Sequence, residues 1–504
     1  MNPSITRLRE LDREIVLLNH VSSLLGWDQE TYMPEKGIDE RAEQLALIGG
    51  MIHEKIVSPE IGRLLEELGV SDSEPKGNPE LPELDRDFLR AVYRRYRREV
   101  RLPTRLVTEL SRETSLAQAV WAKARKENDF PAFAPHLERV IALTREKAEL
   151  LEYEDEPYDA LLDEFEPWMK TASVREIFDR LQPALTDLVE RIRNASPIDD
   201  AFLHIPFPVE LQEAFGRIVL SDLGYGPERG RLDVSAHPFT TTLGGDDVRL
   251  TTNYSETLFT KGLFGIIHEC GHGLYELGFA DELKQSILAD GTSCAIHESQ
   301  SRFWENIIGR SLPFWRHYYP RLVSRFPENL SDVPLERFYR AVNKVEPSFI
   351  RTEADEVTYG LHIILRFRLE LELFSGTLSV KDLPERWRSE SQTLLGISPA
   401  TDSEGVLQDI HWSLGAFGYF PTYALGNLYA AQFYAAMRKD LPDLDSSIEA
   451  GEFHVPLAWL RKRIHAWGVR RTAEELVREV TGEPLDPSYF MRYLEDKYRT
   501  IYDI

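Results

Sequence analysis

Apolar residues recur at intervals of three and four along most of this 504-residue chain, and that spacing constrains the fold more than any other feature. Leu8, Leu11, Ile15, Leu18 and Leu25 lie on one stripe of an N-terminal helix, with charged residues opposite. Near the other end, Thr472 and Glu475 have capping-box spacing ahead of Leu476 and Val477, and Gly482 supplies the stop. Helical patterns fill the interval. Polar, Pro-rich breaks punctuate them at 71–85, 154–157, 398–405 and 441–447. None of these is long or biased enough to be a flexible tether, and no internal repeat or low-complexity tract is present. The pattern predicts a mostly α protein.

Composition narrows the class. At 42 % hydrophobic and 11 % aromatic, the chain has ample material for a large core. With 59 Lys and Arg against 84 Asp and Glu, its net charge of −25 argues against non-specific binding to nucleic acid or an anionic membrane, whose phosphates would repel it. Two cysteines, Cys270 and Cys294, make no disulfide framework. The first twenty residues are charged from Arg7 onward and lack a signal peptide's apolar stretch. No segment approaches the roughly 18 consecutive apolar residues of a membrane span. A cytoplasmic protein is expected.

One stretch departs from the helical pattern. Residues 231–254, RLDVSAHPFTTTLGGDDVRLTTNY, are rich in Thr and Val, with a Gly-Gly-Asp-Asp turn signal between two short runs. That predicts a hairpin or small sheet beside the segment that follows.

The following segment carries His268-Glu269-Cys270-Gly271-His272. Helical residues four apart differ by about 40° in direction and about 6 Å in rise, so two imidazoles at this spacing reach one metal ion. Glu269 sits about 100° round the helix, near the open side of such an ion. This is the H-E-x-x-H pattern, with two ligands and a carboxylate that acts on a metal-bound water. Gly271 and Gly273 weaken helix propensity, but a glycine beside a ligand also permits close approach of a neighbouring element. A catalytic zinc needs a third protein ligand and an open fourth position. The next helical segment, 292–309, offers His297 and Glu298. Adjacent helical residues point about 100° apart, so one of them binds, and spacing leaves the choice open. Glu276 and Glu305 are weaker alternatives.

Several further motifs stand in order along the chain. They are WDQETYMP (27–34), YDALLDEFEP (158–167), HPF (237–239), DVRLT (247–251), HECGH (268–272), HESQ (297–300), IRTEAD (350–355) and GVLQDIHW (405–412). Together they resemble the M32 metallocarboxypeptidases through most of the chain. One departure is Trp168, which follows Glu166-Pro167 where the resemblance leads us to expect a small residue. The resemblance implies that residues 1–504 form a single catalytic domain with no separable second domain. It implies a helical body of two lobes around a deep groove, similar to other gluzincin peptidases, and a homodimer. It makes Glu298 the third ligand beside His268 and His272, leaving His297 to support its neighbours.

The chemistry follows from that site. One divalent ion per chain is expected, zinc first, although two imidazoles and a carboxylate also suit cobalt or manganese. Glu269 would take the proton of the attacking water and deliver it to the leaving amine. By resemblance to related gluzincins, His411 and Tyr423 would stabilise the oxyanion, with Tyr419 able to replace Tyr423. Release of a C-terminal residue needs a fixed cation for the free carboxylate, and the planar fork of Arg suits it. Resemblance favours Arg351. Arg249, with Asp247 as a partner, is the competitor, and His237 would shape the groove. The implied activity removes single residues from peptide C-termini, with broad side-chain tolerance and poor action on C-terminal Pro. Alternatives are an oligopeptidase or dipeptidase on the same scaffold, or a non-catalytic helical scaffold with a structural metal.

Overall fold

The computed structural model describes residues 2–504. It is 68 % helix and 3 % strand, as the spacing of apolar residues predicts. The first helix, α1 (Pro3–Thr31), starts where the Asn2 side chain accepts the backbone N–H of Ser4 and Pro3 occupies the first turn. Its first half buries Ile5, Leu8, Leu11 and Ile15. Leu18 and Leu25, on the same stripe, are only half-buried, because the second half of α1 leaves that core and runs out over the small sheet. The capping box of Thr472 and Glu475 is formed, and Gly482 ends that helix with φ of 89°.

Residues 231–254 form the expected small sheet. Its strands are β1 (Gly230–Val234), β2 (Thr240–Gly244) and β3 (Asp247–Thr252), in the order β1-β3-β2. The hairpin of β2 and β3 turns at Gly244–Asp247, with a register shift between Thr242 and Gly244. β1 joins the other side of β3 in parallel, pairing Leu232 with Leu250. The crossover between β1 and β2 carries His237. Ser235 pins it by donating to the Thr251 hydroxyl at 2.7 Å, while the Phe239 N–H donates to the same oxygen at 2.9 Å.

The apolar interior divides in two. A small cluster joins α1, residues 56–92, and Leu283 and Leu288. A much larger one takes in the rest of the chain. A groove of about 1810 Å³ is lined from both parts, by Arg90 and Arg94 on one side and the metal-motif residues on the other. Among the described residues, no helix is long and apolar enough to cross a membrane.

Candidate metal centre

The H-E-x-x-H residues lie on the motif helix, Phe259–Glu276, which buries Leu263, Phe264, Ile266, Ile267 and Leu274. It crosses the Glu298 helix, Cys294–Arg302, at close quarters. A Cβ at Gly271 would stand 2.6 Å from the Gln300 carbonyl oxygen and the Ser301 Cα. Only glycine permits that crossing. A second glycine serves the same end, since a Cβ at Gly426, on the helix Phe420–Asp440, would stand 2.6 Å from Glu298 Cγ.

This packing brings His268, His272 and Glu298 together, with one ligand atom of each within 4.8 Å of the others. Glu298 Oε2 lies 3.8 Å from His268 Nε2 and 3.5 Å from His272 Nε2. Ligands about 2.1 Å from a tetrahedral ion stand about 3.4 Å apart, so the donor set fits such an ion. Among the described residues, no fourth His, Cys, Asp or Glu joins the cluster, which leaves the open position that a catalytic metal needs. Cys270 is fully buried on another face of the helix.

Each histidine is aimed from behind. His268 Nδ1–H donates to Glu305 Oε2 at 2.8 Å, which frees Nε2 for a metal. His297 shares one hydrogen bond with Glu276 Oε1 through Nε2 at 2.8 Å and another with His272 Nδ1 through its own Nδ1 at 2.6 Å, which leaves His272 Nε2 facing the site. Glu276 is itself held by the Thr242 hydroxyl of β2 at 2.8 Å. Glu276 and Glu305, weaker candidates for the third ligand, therefore sit behind the histidines, and His297 supports its neighbour. Glu305 reaches its place through a turn of π-helix, Phe303–Ile308, that continues the Glu298 helix.

The charges follow from burial and partners. Burial holds the His272 imidazole well below its usual pKa, with the His297 and His268 rings adding to the effect, so it stays neutral. Burial also opposes charge on His268, but Glu298 and Glu305 outweigh it and raise the pKa. A bound cation competes with that proton. Burial would raise Glu305 as well, but Arg302 and His268 hold it well below the usual carboxylate range. Glu269 is pushed up by burial, tempered by the His268 charge and by the Thr240 hydroxyl of β2, which donates to Glu269 Oε2 at 2.6 Å.

His411, Tyr419 and Tyr423 all line the groove. His411 Nε2 is 3.1 Å from the Tyr423 hydroxyl, and the Tyr419 and Tyr423 ring centroids are 5.1 Å apart. Burial pulls His411 down to about 4 and raises Tyr423 above its ordinary value, so both are uncharged near neutrality. The segment between them is tied at both ends to buried Glu370, which accepts from Trp412 Nε1 at 2.8 Å and the Gly418 N–H at 3.1 Å.

The two candidate arginines differ in placement. Arg351 lines the groove, with its guanidinium 4.8 Å from the Tyr423 ring centroid. Its Nε and Nη2 donate to Asp409 Oδ1 at 3.0 and 2.7 Å, and Nη1 donates to the Tyr359 hydroxyl at 3.0 Å. Buried Arg366 shares the other oxygen of Asp409 at 2.7 Å. Arg249 instead pairs with Asp247 at 2.9 Å, lies 4.3 Å from the Trp27 ring centroid, and is not among the groove-lining residues. His237 is exposed at the groove edge. Trp168 has φ of +67°, a conformation that suits a small residue, which accounts for the expectation of one there. Its ring lies 5.5 Å from the guanidinium carbons of Arg90 and Arg94.

Sequence reading missed Thr240, Arg302, Asp409 and Glu370. Only Arg302 leaves a local signal, four residues after Glu298 on the same helix, where the two side chains meet.

Comparison with known proteins agrees with this geometry. A family model described as carboxypeptidase Taq (M32) metallopeptidase matches residues 7–498. The chain is 44 % identical to thermostable carboxypeptidase 1 of Thermus thermophilus, covering 98 % of each chain. It is 39 % identical to carboxypeptidase 1 of Bacillus subtilis, covering 98 % of this chain and 97 % of that one. The crystal structure of an M32 carboxypeptidase from Deinococcus radiodurans superposes with a TM-score of 0.96 at 36 % identity, covering all of both chains. The chain therefore belongs to the carboxypeptidase Taq (M32) metallopeptidase family and is a metallocarboxypeptidase, a hydrolase.

Proposed function

We propose that the protein releases single amino acids from peptide C-termini, with Glu269 as general base and His268, His272 and Glu298 holding one zinc ion. The observation that carries this reading is the convergence of those three donors on the groove, with Glu269 beside them and Arg351 lining the same groove. When bound, the ion supplies a Lewis acid that acidifies water and polarises the scissile carbonyl. Cobalt or manganese would serve the same donor set. Glu269 accepts the water proton at Oε1, because Oε2 is engaged by Thr240, and passes it to the leaving amine. Neutral His411 donates through Nε2–H to the Tyr423 oxygen, which frees the phenolic proton for the oxygen where negative charge collects. Tyr419, whose ring stands beside that of Tyr423, is the alternative donor in its place.

Arg351 receives the substrate's free carboxylate. Arg351 and Arg366 share the single carboxylate of Asp409, so one unit of positive charge is left to offset it. His237 shapes the rim. Broad side-chain tolerance and weak action on C-terminal Pro come with this reading through the family resemblance. The chain acts as one catalytic domain in the cytoplasm. It works as a homodimer, a state supported by apolar Leu17, Val21, Leu24 and Leu47, which stand exposed on α1 and the following helix α2 (Ile38–Ile56).

The deciding experiment follows one peptide by mass spectrometry through a digestion time course, with Glu269→Gln as the inactive control. A ladder losing one residue per step is expected. EDTA should abolish it, and zinc or cobalt should restore it. Cleavage at interior bonds, or loss of dipeptides, overturns single-residue release.

A further inference from the structure

Arg302 lies between Glu298, which would hold the metal, and Glu305, which stands behind His268. Its Nε donates to Glu298 Oε1 at 2.6 Å, and its Nη1 donates to Glu305 Oε2 at 3.2 Å. That same Glu305 oxygen receives the Nδ1–H of His268. The other Glu298 oxygen, Oε2, faces both histidines and also accepts from the Ser301 hydroxyl at 3.2 Å. The guanidinium is fixed in turn, since it lies 4.4 Å from the ring centroid of Tyr359. Packing closes the remaining freedom, because the backbone at Gly426 presses on the Glu298 side chain.

Charge alone argues against an arginine here. A guanidinium near a divalent cation repels it, so its presence calls for a geometric reason. Both oxygens of a free carboxylate bind one ion readily, and two-oxygen ligation would fill the position that water needs. Arg302 Nε holds Oε1 in a charge-assisted hydrogen bond that competes with its ligation.

We infer that Arg302 is a positioning residue that restricts Glu298 to ligation through Oε2 and, by way of Glu305, sets the ring of His268. The inference rests on the metal-site reading above. It assigns one side chain to the aim of two ligands at once, and to keeping one coordination position vacant.

The test compares wild type, Arg302→Lys and Arg302→Met, each stripped of metal and reconstituted with Zn²⁺ or Co²⁺ alone. Zinc affinity is read by competition with a chromophoric chelator, and coordination by the visible absorption of the cobalt form. Both variants are expected to bind zinc about 10- to 100-fold more weakly than wild type. Their cobalt absorption should weaken toward that of a higher coordination number, and kcat should fall further than KM rises. Lysine should not rescue, because a single ammonium nitrogen lacks the rigid planar spacing with which Nε and Nη1 hold the two carboxylates apart. Should Arg302→Met fail to fold, Arg302→Lys keeps the charge and carries the comparison. A wild-type zinc affinity and cobalt spectrum in Arg302→Lys overturns the inference. Tighter zinc binding in Arg302→Met with an unchanged cobalt spectrum also overturns it, since Arg302 would then act only as a repelling charge. Failure of wild type itself to bind zinc would instead remove the metal-site reading.

Discussion

A hydroxyl from the small sheet helps to set the state of Glu269. Thr240 donates to its Oε2, and that bond offsets part of the upward push from burial. A hydrogen bond to a charged group is worth about 1.5–3 kcal/mol. Thr240→Val removes the bond at nearly constant volume, so Glu269 should hold its proton to higher pH. The acid limb of kcat/KM is expected to move to higher pH, and a pH–rate profile reads it directly. An unmoved limb would show that Thr240 exerts no control over the base. At this scale the sequence was partly legible. His268, Glu269 and His272 announce themselves through helical spacing, which is local. Thr240 lies 29 residues from Glu269 and leaves no such mark. Asp409, 58 residues from Arg351, is equally silent, although it decides how that arginine is presented.

Helix crossing governs the next scale. Glu298 reaches the histidines because the motif helix and the Glu298 helix approach without a side chain at Gly271. Gly271→Ala places a methyl against backbone atoms that cannot swing aside. Overpacking of this kind costs about 1–3 kcal/mol. A lowered Tm is expected, together with weaker zinc binding in a chelator titration, because the two ligand-bearing helices must part. Unchanged zinc binding with a lowered Tm would separate the crossing from ligand placement. The hairpin of β2 and β3 was readable from its turn residues and its richness in Thr and Val. The parallel pairing of β1 was not, since a crossover pairing depends on residues outside the strand. The π-turn at Phe303–Ile308 was equally hidden. Its sequence reads as ordinary helix, and only packing decides the extra residue per turn that brings Glu305 to His268.

Across the whole molecule, buried ionisable groups tie stability to pH. His362 and His465 are pulled down to about 3 and His411 to about 4, chiefly by burial. Each ring is neutral when folded but protonates near 6.5 when unfolded, so the stability it contributes is present above about 6.5 and lost as pH falls toward about 4. Glu166 and Glu370 act with the opposite sign. Burial pushes each up to about 7, so their contribution is present below about 4.5 and lost as pH rises through about 7. His362→Gln and His465→Gln, neither of which lines the groove, are expected to flatten the acid-side fall of Tm between about 6.5 and 4. Each ring is worth on the order of 3 kcal/mol at pH 4. An unaltered slope in a thermal scan at stepped pH would rule out these rings as its source. What the sequence by itself determined is the helical class, the small sheet and the ligand pair of the metal motif, because each repeats at short intervals along the chain. Tertiary structure alone decided which arginine lines the groove, which carboxylates stand behind the histidines, and how two separate cores enclose the site. Those outcomes depend on contacts between residues far apart in the chain, which no local period encodes.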